Sequence, residues 1–215
     1  MEYNLFLIGL IAINVIISFK GFNDLSFFRK YQFHVGSIRS GEQIRMISSG
    51  FLHVDIGHLA FNMLSLYFFA PVVYGILNNF SFVLIYFASL IFGSLLTMIF
   101  HKDDYSYSAV GASGAVMGII YSAILLDPSL DIYFFFIPIP IPGYIFGIGY
   151  LLYSIYGMKA KSDNIGHTAH FGGAIGGYLF TLMKKPSLFI DNTFMVVILA
   201  IPILILFVMA KRGKL

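Results

Sequence analysis

The chain has 215 residues, of which 59% are hydrophobic and 11% charged, against roughly 25% charged in an average soluble domain; with a mean hydropathy of +0.87 this excludes an ordinary soluble protein and leaves a polytopic membrane protein. The net charge of +3, from 13 basic and 10 acidic side chains, gives no ground for a nucleic-acid partner in such a chain. Cysteine is absent, which excludes disulfides and thiolate chemistry and leaves the redox compartment open.

Counted between Asp, Glu, Lys and Arg, uncharged runs cover 3–19, 56–101, 105–126, 132–158, 164–183 and 192–210. A helix needs ~20 residues to cross ~30 Å of hydrocarbon. The run 56–101 is therefore two spans with Asn78-Asn79 as their turn, and the total is seven. The first span, 4–19, has Glu2 as its only upstream charge, no basic start and no small-residue cleavage site before Lys20-Gly21. It reads as a retained helix rather than a signal peptide. The long connection "KGFNDLSFFRKYQFHVGSIRSGEQIRMISSGFLHVDI" interleaves charges with Phe, Tyr and Ile, as suits a segment lying in the membrane interface. Spans follow at 57–77, 80–100, 111–127, 138–157, 165–183 and 192–210. "FIPIPIPG", 136–143, opens the fifth with extended backbone, because alternate prolines cannot continue a helix. No repeat of 20–50 residues and no low-complexity linker interrupts the chain, so 1–215 reads as one all-α membrane helical bundle and a single domain.

With the amino terminus inside, 11 of the 13 Lys and Arg lie on outer connections or the carboxy terminus, and only Lys184 and Lys185 lie inside. The positive-inside bias prefers the opposite orientation.

Ionisable side chains in hydrocarbon are costly and usually mark function. Apart from His58 and His170, with His167 near a helix start, the spans carry almost none. "GASGAVMG", 111–118, sets Ser113 among glycines. Gly114 and Gly118 have the spacing that lets membrane helices approach closely, and on this motif alone the serine is a packing residue. In "HTAHFGGAIGGY" His170, Gly173 and Gly177 share a helical face at ~100° per residue. Two glycine-faced helices can pack almost backbone to backbone and bring the Ser113 hydroxyl to the His170 ring, the minimum for nucleophilic catalysis. A lone histidine is equally a satisfied core residue or a ligand for metal or haem. "HLAFN" places His58 and Asn62 one turn apart on one face. Both can donate hydrogen bonds to a developing oxyanion, with the backbone N–H of Ser113 or its neighbour, or bond between helices. His53 holds either the loop or the site. No H-E-x-x-H pair, no cysteine and no span Asp or Glu completes a zinc set or an aspartyl dyad.

In order, "IRMISSGFLHVDIGHLAFNM", "GASGAVMG" and "HTAHFGGAIGG", with the proline-led fifth span, cover most of residues 43–180. Through them the chain resembles the rhomboid intramembrane serine proteases of the six-plus-one type. The resemblance implies a six-helix core over about 4–183 and an added carboxy-terminal helix over about 192–210. It implies Ser113 as nucleophile, His170 as general base, and His58 and Asn62 as oxyanion donors with backbone N–H groups at Gly111 and Ala112. Arg45 matches the structural arginine of the first loop, while Ile44 stands where tryptophan is frequent. Gly114, Gly173 and Gly177 supply close packing. Met117 stands where an aromatic ring commonly packs on the histidine, and its thioether can contact an imidazole. Asp163 is a solvated or capping residue rather than a third member.

The implied activity is serine-type endopeptidase cleavage of transmembrane helices through an acyl-enzyme, with no cofactor or metal and with substrate helices and lipid as partners. The implied location is a prokaryotic plasma membrane, with a water-filled site open to the extracytoplasmic side. A non-catalytic rhomboid-like protein that binds client transmembrane segments is the alternative, and a transporter or channel is a more distant one.

Overall fold

The computed structural model describes residues 4–134, 137–160 and 165–214. Lipid offers no partner for backbone N–H and C=O groups, so apolar runs satisfy them internally as helix. Among the described residues seven long helices form: α1 (Leu5–Asn23), α5 (Ile56–Ile76), α6 (Asn79–Phe100), α7 (Ser113–Leu126), α8 (Gly143–Ala160), α9 (His167–Lys184) and α11 (Thr193–Lys211). Shorter helices α2 (Leu25–Tyr31), α3 (Val35–Arg39) and α4 (Arg45–Ser48) build the first connection, and α10 (Leu188–Asp191) precedes α11. The architecture is a helical membrane bundle, with α1, α5, α6 and α11 each long and apolar enough to cross a bilayer.

The helix ends depart from the expected ones at three places, each with a local cause. α1 runs on past residue 19, with Lys20 in its last turn, where a cation suits the carbonyl end. It stops at Asp24, whose carboxylate accepts from the Phe27 N–H and so starts α2. α7 begins at Ser113 and not at 111. The fifth span begins at Gly143 and not at 138, because Ile137–Pro142 is a strand, β4 in chain order, paired antiparallel with β3 (Asp131–Phe134) in the register Asp131↔Pro142 and Ile132↔Ile141. Prolines at every second position remove N–H groups along one edge only, which a strand paired on its other edge tolerates. The Gly143 N–H then donates to the Leu130 carbonyl at 2.8 Å and closes the hairpin against α8.

A second pair was not visible in the sequence. β1 (Phe33–His34) pairs antiparallel with β2 (Ser108–Ala109), strapping the first connection to the segment that enters α7. The same connection is pinned from within by Arg45. Its guanidinium is buried and donates to the carbonyls of Arg29 (2.7 Å) and Gln32 (3.0 Å) and to the Glu42 carboxylate (2.7 Å). These charge-assisted bonds hold carbonyls that short helices leave open. Ile44 beside it is exposed. Asp163 lies outside the described residues.

α7, α6 and α9 form the centre. Every residue from Gly114 to Leu126 is buried, the signature of a helix apolar all round. At 14 residues α7 rises only ~21 Å, so its two ends cannot both reach the surfaces of a ~30 Å core. α9 turns two glycine faces to its neighbours. A Cβ on Gly173 would lie 3.0 Å from the Gly114 Cα, and one on Gly177 would lie 2.6 Å from the Gly118 Cα, both on α7. Gly172 and Gly176, one position earlier, stand equally close to α6, with 2.8 Å from such a Cβ to the Gly93 Cα and the Ser89 Cα respectively. The expected face of Gly173 and Gly177 is thus accompanied by a second one, about 100° around the same helix.

Candidate active site

Ser113 is the first residue of α7 and owes its position to the two residues before it. Gly111 has φ +129, in the region that side chains avoid. A Cβ there would also strike the His58 ring, at 2.8 Å from Nε2, while lying 3.6 Å from the Ser113 Oγ. The glycine therefore keeps open the space between the His58 ring and the serine hydroxyl.

The entry loop is held by hydrogen bonds from distant residues. The Gly111 N–H donates to the Ser49 carbonyl at 3.0 Å, and the Ala112 N–H donates to His53 Nε2 at 3.3 Å. An accepting Nε2 puts the ring proton of neutral His53 on Nδ1, which donates to the Ser18 Oγ at 2.8 Å. The Ser18 hydroxyl then donates to the Phe51 carbonyl at 3.0 Å. His53 thus holds the loop. Gly111 and Ala112, expected to offer N–H groups to an oxyanion, both have protein acceptors for them in this structure. The donors left at this end of α7 are those of its own first turn, which begins at Ser113 and has no side chain capping it.

Burial pushes the His53 imidazole down to about 3, with nearby His58 acting in the same direction and Asp55 opposing. An unfolded chain takes up this proton near pH 6.5 and the folded one refuses it. The stability His53 contributes is therefore complete above about pH 6.5 and is lost as pH falls from there toward 3, by up to ~1.4 kcal/mol per pH unit. In thermal unfolding across pH 7 to 4, the advantage of the wild type over His53→Gln should narrow steadily below pH 6.5. A constant difference would show that His53 is not held neutral.

On the other side of the serine, the His170 Nε2 lies 2.6 Å from the Ser113 Oγ. The glycine contacts between α7 and α9 make this approach possible, because no Cβ holds the two backbones apart. His170 is buried, and its Nδ1 lies 2.7 Å from the hydroxyl of Tyr150 on α8, with ring centroids 5.7 Å apart. Met117 is buried on α7, and the aromatic ring beside His170 comes from Tyr150, a residue the sequence did not single out. His167 stands 6.5 Å from His170 and 5.2 Å from Tyr153, ring to ring.

His58 and Asn62 lie one turn apart on α5 as expected. One amide N–H of Asn62 donates back to the His58 carbonyl at 3.0 Å. The His58 backbone N–H is capped by the Asp55 carboxylate at 2.7 Å, and its ring packs edge-on against His53 at 4.9 Å. Among the described residues no group of His, Asp or Glu has the arrangement to hold a metal ion. Chemically, the site offers a hydroxyl whose proton an adjacent imidazole can take, next to a gap bordered by a second imidazole and an uncapped helix amino end.

The comparisons with known proteins converge on one family. Residues 40–187 match the family model described as the Rhomboid domain. The chain is 32% identical over 187 residues to RHOMBOID-like protein 12, mitochondrial, of Arabidopsis thaliana, covering 78% of this chain and 54% of that protein. It is 32% identical over 143 residues to Rhomboid protease GluP of Bacillus subtilis (66% and 26%), and 28% identical over 141 residues to Rhomboid protein 1, mitochondrial, of Saccharomyces cerevisiae (64% and 41%). The chain thus spans about half or less of the length of these relatives.

Proposed function

Because this chain belongs to the rhomboid family, we propose that it is an intramembrane serine endopeptidase that cleaves transmembrane helices of membrane proteins. The observation that carries the reading is the 2.6 Å approach of His170 Nε2 to the Ser113 Oγ. The Ser113 oxygen attacks a peptide carbonyl while His170 takes its proton. The imidazolium returns that proton to the leaving amine, and water then hydrolyses the acyl-enzyme with His170 again as base. The oxyanion develops beside the Ser113 Oγ, where the His58 ring borders the gap kept open by Gly111 and, with the Ser113 backbone N–H, serves as donor. Asn62 has a second amide hydrogen to offer there.

Hydrolysis needs water, so the site opens to an aqueous cavity on the side of the first connection. A substrate helix must expose its carbonyls, which favours segments weakened by Gly, Pro or small polar residues. We place the protein in a prokaryotic plasma membrane with this opening outward. The Bacillus subtilis relative supports a prokaryotic source, the two mitochondrial ones do not, and the positive-inside bias runs against the outward opening.

The direct test needs no substrate. A fluorescent fluorophosphonate should label the purified wild type in detergent and leave Ser113→Ala and His170→Ala dark. If wild type and variants stay equally dark beside a labelled rhomboid protease, the protein is instead a binder of membrane clients.

A further inference from the structure

We propose that Tyr150 is a positioning residue that fixes the tautomer and orientation of His170, in the place where other serine hydrolases use a carboxylate; this rests on the protease reading above. For Nε2 to accept the Ser113 proton, neutral His170 must carry its own proton on Nδ1. Nδ1 is buried beside Tyr150, whose hydroxyl oxygen at 2.7 Å can accept that hydrogen while keeping its own. The opposite arrangement, with the tyrosine donating to Nδ1, would leave the proton on Nε2, facing a serine that could then not be activated.

The position of the tyrosine is built into the helices. Tyr121, two turns along α7 from Ser113, is fully buried, and its hydroxyl donates to the Gly147 carbonyl on α8 at 3.0 Å. Gly147 accepts this proximity because it has no side chain: a Cβ there would stand 3.3 Å from the Tyr121 ring. Tyr150 follows Gly147 by three residues, so it lies on nearly the same face of α8, one turn on. Three bonds close a ring of helices: Tyr121 to Gly147 joins α7 to α8, Tyr150 to His170 joins α8 to α9, and His170 to Ser113 joins α9 back to α7. The hydroxyl that orients the base is therefore held in register by the helix that carries the nucleophile. A neutral oxygen orients the ring without supplying the negative charge of a carboxylate. Its loss should cost less than removal of the aspartate from a triad and should fall on the chemical step.

The experiment compares wild type, Tyr150→Phe and Ser113→Ala. Tyr150→Phe keeps the ring and removes only the acceptor. We expect kcat and the rate of fluorophosphonate labelling to fall about 10- to 100-fold, with KM unchanged and the thermal midpoint lower by only about 2–6 °C, the effect of leaving a buried N–H without its acceptor. Nitrogen-15 spectra of labelled histidine, with His170 assigned through His170→Gln, should show the Nδ1–H tautomer in the wild type and a mixture in Tyr150→Phe. Wild-type rates in Tyr150→Phe, or an Nε2–H tautomer for His170 in the wild type, would overturn the inference while leaving the protease reading intact. Lowered activity and thermal midpoint in Tyr150→Phe with the wild-type His170 tautomer retained would make Tyr150 a packing residue and overturn it too. Absence of any Ser113-dependent labelling in the wild type would remove both.

Discussion

His170→Ala is expected to lower kcat for cleavage of a membrane-embedded substrate by about 10⁴-fold or more, with Ser113→Ala at the same floor. The reason is that neither group acts alone. The hydroxyl is a poor nucleophile until a base takes its proton, and in this bundle the base it meets is the imidazole 2.6 Å away. Residues that act as a unit lose their effect together, so the double variant should be no slower than either single one. Residual rate above the uncatalysed reaction would then report the oxyanion donors and binding alone, and His58→Ala added to Ser113→Ala should reduce it further. Multiplicative losses for Ser113→Ala and His170→Ala would mean that the two groups work independently, and the proposed dyad would fail. Binding of the substrate segment, measured with uncleavable Ser113→Ala, should be little changed by the histidine substitution, because His170 contributes to the reacting centre rather than to the long apolar contact.

The parts of this site that were legible in sequence are those set by short-range periodicity. Ser113 among glycines, and His170 with Gly173 and Gly177 three and seven residues later, fix which faces meet, and the helices do pack there. The parts that were not legible depend on residues far apart in the chain. That the Gly111 and Ala112 N–H groups are spent on Ser49 and His53 follows from contacts across some sixty residues, which no local pattern encodes. Tyr150 is one of 14 tyrosines in a chain rich in aromatics, and its distinction is its height on α8, set by Tyr121 and Gly147. The start of α7 was hidden for a different reason: residues 105–126 are uniformly uncharged, so hydropathy cannot show where loop becomes helix. Only the left-handed Gly111 and the committed N–H groups do that. The fifth helix begins five residues later than hydropathy predicts, because an apolar strand and an apolar helix look alike to hydropathy, although the prolines of 138–142 already exclude regular helix there.

Gly173→Ala should be among the most damaging single-methyl changes in the molecule, while Gly149→Ala, the same substitution on the preceding helix α8, should be neutral or stabilising. A Cβ at Gly149 meets nothing within 4 Å, so alanine there gains the ~0.5–1 kcal/mol by which it exceeds glycine as a helix former. At Gly173 the added methyl lands on the backbone of Gly114, which cannot rotate away as a side chain would. α9 must withdraw from α7, at a cost of roughly 1–3 kcal/mol or more for overpacking. Gly114 follows Ser113 and Gly173 lies one turn from His170, so withdrawal opens the Ser113–His170 contact directly. Displacement of reacting groups by ~1 Å can cost ~10²-fold in rate. Compared by thermal unfolding in detergent and by fluorophosphonate labelling, Gly173→Ala should lower the thermal midpoint while Gly149→Ala leaves it unchanged or raises it, and Gly173→Ala alone should lose labelling by about two orders of magnitude. If Gly173→Ala labels at the wild-type rate, close approach of α7 and α9 is not what sets the distance between hydroxyl and imidazole, and the link from glycine face to chemistry is broken.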